Sequence, residues 1–145
     1  METNAILAPA AVLVLWTTIM VGWLAYARLT AIKASGIDLS RAPSVGGRGQ
    51  DIDPLLPPSA QWPSHNYTHL LEQPTIFYAV VMILAVGGGV TSLTVGLAWA
   101  YTGLRIAHSL WQVLVNKVPV RFALFLASTF CLIALAIMAV ILTLG

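Results

Sequence analysis

Long apolar runs set the pattern of this chain, and a single broad polar stretch interrupts them. The first run covers residues 4–32 and carries no charge until Arg28. A spanning helix needs about 20 apolar residues, so this run is long enough to cross a bilayer with tilt. Trp23 and Tyr26 near its end suit the headgroup interface, and Arg28 and Lys33 close it. Residues 33–63 follow as a loop, marked by Pro43, Gly46, Gly47, Gly49, Pro54, Pro57 and Pro58 among Asp38, Arg41, Arg48, Asp51 and Asp53. It is longer than a passive connection requires. Its apolar Leu55-Leu56-Pro57-Pro58 and Trp62 predict a lid that packs back over whatever lies at its C-terminal end. A plain linker is the competing reading.

Pro63 and Ser64 are both helix-start residues and predict a second helix over 64–86, with a kink at Pro74. The uncharged run from Gln73 to Leu104 is too long for one ordinary span. Gly87-Gly88-Gly89 divides it, so a tight hairpin and a third helix over 92–115 are expected. On that helix Tyr101, Arg105, His108 and Gln112 recur at i, i+4, i+7 and i+11, a single stripe at helical period. Such a stripe must face protein or a watery cavity, not lipid. Asn116, Lys117, Pro119 and Arg121 form the next short loop, and a fourth apolar helix covers 122–144. The pattern predicts an all-α, integral membrane four-helix bundle in one domain, residues 1–145.

At the head of the second helix stands His65-Asn66-Tyr67-Thr68-His69-Leu70-Leu71-Glu72-Gln73-Pro74. His65, His69 and Glu72 share one helical face. Ionisable groups near a bilayer are expensive and mark a site, so this face is expected to be buried by the rest of the chain. At a rise of about 1.5 Å per residue, Glu72 and Arg105 come to similar depth from the same side. The pair is expected to meet, because an unpaired buried charge is very costly.

Composition sharpens this picture. The chain is 59% hydrophobic and 8% charged, against roughly 25% charged in soluble proteins, and its mean hydropathy is +0.87. The N-terminal region holds Glu2 and no Lys or Arg, and the run behind it is too long for a signal peptide core, so a retained transmembrane helix is expected. Net charge is +2, but the basic residues flank apolar runs and do not suggest a nucleic-acid partner. Of the seven Lys and Arg, six (Arg28, Lys33, Arg41, Arg48, Lys117 and Arg121) flank the first and third loops, which places those loops in the cytoplasm. The single cysteine, Cys131, lies within an apolar run and supports neither a disulfide nor a thiolate metal site.

The polar groups predict a cationic, hydrogen-bonding cavity open to the cytoplasm, suited to a small polar anion, with a lipophilic co-substrate arriving from the bilayer. A metal site from His65, His69, Glu72 and His108 competes with mutual pairing of these groups. No HExxH motif is present, and no metal is expected. Tyr101, Trp99 and Trp111 read as packing and interface residues. Cys131 and Ser109 lack a suitably placed base, and Gly87-Gly88-Gly89 lacks the strand–turn–helix context of a phosphate loop.

The segments HNYTHLLEQPTIFYAV, LAWAYTGLRIAHSLWQ and NKVPVRF together resemble the bacterial branch of the MAPEG family, the membrane-associated proteins in eicosanoid and glutathione metabolism. The resemblance is close over residues 61–128. It implies a homotrimer of four-helix subunits in the bacterial inner membrane, with glutathione as co-substrate bound between neighbouring subunits. The implied activity is a glutathione-dependent transferase or peroxidase acting on lipophilic electrophiles or hydroperoxides. The family's N-x-x-E motif matches His69-Leu70-Leu71-Glu72, with His69 in the place of Asn. Glu72 would hold the glutathione amino group, with His65, Asn66, His69, Arg105, His108 and Gln112 completing the binding set. Arg28, Arg105 and Arg121 are the candidate thiolate stabilisers. Neither His108 nor Gln112 is the tyrosine found in the family. Some members bind lipid without catalysis, so a non-catalytic lipid-binding or scaffold trimer is the alternative. A proton-linked transporter using the histidines and Glu72 ranks below both, since the chain has no internal repeats.

Overall fold

The structure, a computed structural model, describes residues 2–36 and 45–145. Asp38, Arg41 and Pro43 lie outside the described residues. Within them the chain is all-helical. Four long helices, α1 (Asn4–Ser35), α2 (Pro58–Val86), α3 (Ser92–Leu114) and α4 (Val118–Leu144), are joined by turns and by a short 3₁₀ helix (Gly49–Leu55) ahead of α2. Three of them, α1, α2 and α4, are long and apolar enough to cross a membrane, with mean hydropathies of 2.1, 1.5 and 2.7 over their most apolar windows.

α1 packs on α2 and α3, α4 packs on α3 and α2, and α2 meets α3 across the centre; α1 and α4 do not touch. The core is a narrow seam. α1 contributes Ile6, Leu13 and Met20, and α2 contributes Leu70, Phe77 and Leu84, each set at heptad spacing, with Leu132, Leu135 and Ala139 from α4. The outer faces stay apolar at Leu15, Ile19, Phe130, Ile133 and Ile137, as a lipid-facing surface requires. Phe77 stacks on Tyr101 with ring centroids 4.2 Å apart, joining α2 to α3.

The predicted break at Gly87-Gly88-Gly89 is a tight turn. The Gly87 and Gly89 amides donate to the Ile83 and Leu84 carbonyls at 2.9 and 2.8 Å, and Gly88 takes φ +78°, which favours glycine. A Cβ on Gly89 would lie 2.7 Å from Leu142 Cδ2, so the turn lets the end of α4 close on it. Thr91 and Thr94 then cap α3 reciprocally: the Thr94 amide donates to Thr91 Oγ1 at 3.2 Å, and the Thr91 amide to Thr94 Oγ1 at 2.9 Å.

Three boundaries differ from the sequence pattern. α2 begins at Pro58, not near Ser64, because the Pro57-Pro58 pair supplies an earlier start signal. The side chain of Gln61 donates to the Leu56 carbonyl at 2.8 Å and fixes that start, while Leu56 is buried. α2 then runs unbroken through Pro63 and Pro74. α4 begins at Val118 with Pro119 in its first turn, so Arg121 belongs to the helix and not to the loop. Finally, the end of the polar stretch is ordered as the 3₁₀ helix, packed on α2.

Candidate functional site

The site is built on α3. Its helical period carries Tyr101, Arg105, His108 and Gln112 to one face, and all four are buried, at 0, 2, 4 and 1% exposure. That face is covered by protein, as the cost of exposing it to lipid demands. Tyr101 donates to Gln73 Oε1 at 3.4 Å, and Gln73 in turn donates to Thr129 Oγ1 at 2.9 Å, a hydrogen-bonded chain across α3, α2 and α4. Arg105 Nη2 donates to the His69 carbonyl at 2.6 Å. Its Nε and Nη1, His108 Nε2, and both amide atoms of Gln112 are buried without a hydrogen-bond partner.

The expected ion pair between Glu72 and Arg105 is not formed. Glu72 sits between the buried positions Leu70 and Pro74 of α2 and turns outward. Its side chain is 60% exposed and its Oε2 lies 3.2 Å from His69 Nδ1. Arg105 instead reaches the main chain of α2, one turn before Pro74. The face shared by His65, His69 and Glu72 is therefore not buried within the subunit: His65 and Glu72 are exposed and His69 is half-buried. Asn66 points the other way. It is 1% exposed and donates to Ser109 Oγ at 2.8 Å, which fixes the register of α2 against α3.

His69, His108 and Arg121 do come together. The two imidazole centroids are 6.0 Å apart. With Val118, Phe122 and Phe125 the three basic side chains line a cavity of about 220 Å³ where α2, α3 and α4 meet. Arg121 Nη1 donates to Asn116 Oδ1 at 2.6 Å and is steadied at the cavity edge. The wall thus mixes basic and aromatic side chains, with the His108 ring edge-on to Phe125 at a centroid distance of 6.5 Å. His65 and His69 also line a second cavity of about 420 Å³ beneath the 3₁₀ helix, with Gln50, Asp53, Ser64 and Thr68.

Arg28 stands apart from this group. Its Nη2 lies 2.5 Å from Asp53 Oδ1 and 3.3 Å from Ser64 Oγ, and Ser64 donates to Asp53 Oδ2 at 2.5 Å. The three side chains join α1, the 3₁₀ helix and α2. Asp53 and Ser64 carried no signal in the sequence: one was a loop acid among several, the other a helix-start serine. Among the described residues, no three His, Cys, Asp or Glu side chains gather into a metal-binding group.

No curated protein and no solved structure matches the chain. The family model described as the MAPEG family matches residues 6–141, from the first turn of α1 through nearly all of α4, and by that extent the chain belongs to the MAPEG family.

Proposed function

We propose that this membrane protein is a glutathione-dependent transferase or peroxidase acting on lipophilic electrophiles or hydroperoxides. The observation that carries the reading is the set of unpartnered atoms on Arg105, His108 and Gln112, buried side by side on α3. A buried polar atom without a partner costs about 1–3 kcal/mol. A chain that keeps several on one face has a use for them beyond its own fold. Glutathione, with two carboxylates, an amine and two amides, has the complementary groups. Arg121 at the cavity edge favours the thiolate over the thiol, because a nearby cation stabilises the charged form. The sulfur then attacks an electrophile held against Val118, Phe122 and Phe125. In the homotrimer that the family resemblance implies, the outward-facing Glu72 would take the glutathione amine at a subunit boundary. The distribution of basic residues favours a cytoplasmic mouth, with α3 as a fourth span.

Purified trimer with added glutathione should show thiolate ultraviolet absorbance. Arg105→Ala and Glu72→Gln should each abolish glutathione binding in detergent without dissociating the oligomer. Unchanged binding in both variants overturns the reading. One observation favours a second reading, a non-catalytic lipid-binding or scaffold trimer: the Arg105–His69 and Asn66–Ser109 bonds hold α2 in register on α3. That reading predicts no thiolate absorbance and a lowered melting temperature in Arg105→Ala.

A further inference from the structure

We propose that the 3₁₀ helix Gly49–Leu55 is a self-inhibiting lid, in which the Asp53 carboxylate occupies the anion slot of Arg28 until a carboxylate of incoming glutathione displaces it. This rests on the glutathione reading and adds a regulation to it.

Asp53 is the only buried side chain of the 3₁₀ helix. It is held by Arg28 and by Ser64, both of which lie outside that helix. The other side-chain tie to α2 within the helix is weak, with Gln50 donating to Thr68 Oγ1 at 3.5 Å. A segment anchored at one charged point, with little apolar burial of its own, opens locally at low free energy. Gly49 lies so close to Arg28 that a Cβ there would be 2.8 Å from Nη1, so the helix closes on the guanidinium with no side chain between them.

The slot itself is suited to a carboxylate. A guanidinium presents a planar fork of donors that matches carboxylate geometry, and Asp53 already uses one arm of it, through Nη2 and Oδ1, while its Oδ2 accepts from Ser64. Arg28 also keeps a buried Nε without a partner, so the resident carboxylate leaves part of its donor capacity unused. On one side of the pair lies the cavity of about 420 Å³ that reaches His65 and His69. On the other lies a cavity of about 180 Å³ lined by Leu24, Arg28 and Tyr67. Gln50, Ser64 and Thr68 border both. Asp53 lines the first cavity and Arg28 the second, so their ion pair forms part of the wall between the two, beside Gln50, Ser64 and Thr68. Lifting Asp53 joins the two spaces and connects the guanidinium to His69, which also lines the cavity holding His108 and Arg121.

The test measures glutathione affinity by calorimetry on the detergent-solubilised full chain, as wild type, Asp53→Asn and Ser64→Ala. Hydrogen exchange of the amides of residues 49–56 is followed with and without saturating glutathione. Asp53→Asn keeps the shape and removes the competing charge. If the lid is open about a tenth of the time, affinity should rise about tenfold, since apparent affinity scales with the competent fraction. Ser64→Ala removes one support of Asp53 and should give a smaller gain of the same sign, which keeps the test decisive if Asp53→Asn does not fold. Exchange across 49–56 should quicken when the wild type is saturated. Equal or weaker binding by both variants, or unchanged exchange on saturation, overturns the lid and leaves the glutathione function standing. Binding by Asp53→Asn alone supports the lid in its tightest form. Absence of binding in every form overturns lid and function together.

Discussion

Gln112 places both atoms of a side-chain amide in the interior with no partner. If the fold alone decided its identity, leucine would serve better, because an apolar side chain leaves no unmet hydrogen bond. Gln112→Leu is expected to raise the melting temperature in detergent, a gain of about 1–3 kcal/mol, while weakening glutathione binding. A variant that is more stable and binds equally well would remove Gln112 from the site. Asn66 gives the opposite expectation. Asn66→Ala leaves the Ser109 hydroxyl buried and unmet, at a cost of about 1–3 kcal/mol, and glutathione affinity in the folded protein should not change; differential scanning in detergent and calorimetry separate the two effects. The sequence placed Asn66 beside His65 in the ligand set, but one residue along a helix is a rotation of about 100°. Its burial against α3 has a sequence signal of its own: Asn66 continues the Leu70, Phe77 and Leu84 seam by one turn. The same angle explains Glu72. Rise per residue gave it a depth similar to Arg105, whereas rotation, which decides whether two side chains meet, depends on how α2 packs.

At the scale of elements, what was legible is what local chemistry decides. The stripe on α3 and the glycine turn before it follow from period and from glycine's backbone freedom. The 3₁₀ helix was not legible, because its anchor is a contact between Arg28 and Asp53 on separate elements. The start of α2 was ambiguous because two proline signals compete, and a side-chain bond from Gln61 to Leu56 decides between them. The α2–α3 turn offers a clean test of steric fit. Gly88→Ala should destabilise by about 1–2 kcal/mol through its left-handed backbone alone. In Gly89→Ala the new methyl meets Leu142 Cδ2 at 2.7 Å and Leu84 Cδ2 at 2.9 Å. Overpacking of this kind costs typically about 1–3 kcal/mol. Leu142→Ala should restore part of the Gly89→Ala loss and none of the Gly88→Ala loss in a double-mutant cycle of melting temperatures. Equal rescue of both would show that the turn, and not its contact with α4, sets the cost.

For the whole molecule, the arrangement of helices follows their polarity. The two that do not touch each other, α1 and α4, have the highest mean hydropathies, 2.1 and 2.7, while α2 between them has 1.5. α3 falls below the apolarity of a candidate span, and it packs against all three other helices. α2 does the same, so the two less apolar helices are the two most surrounded by protein, which is what a lipid solvent selects. An Arg at the centre of a single inserting helix costs about 2.5–3.5 kcal/mol. Arg105 in the assembled chain is relieved of part of that cost by the His69 carbonyl of α2. α3 presented alone in a membrane-insertion assay should therefore insert poorly, and Arg105→Leu with His108→Leu should make it insert efficiently. In the full chain the unaltered α3 should insert, and the leucine replacements should change insertion little. The α2 carbonyl that relieves Arg105 exists only when both helices are present, so efficient insertion of the unaltered α3 alone would show that its own residues suffice and that packing against α2 is not what holds it in the membrane.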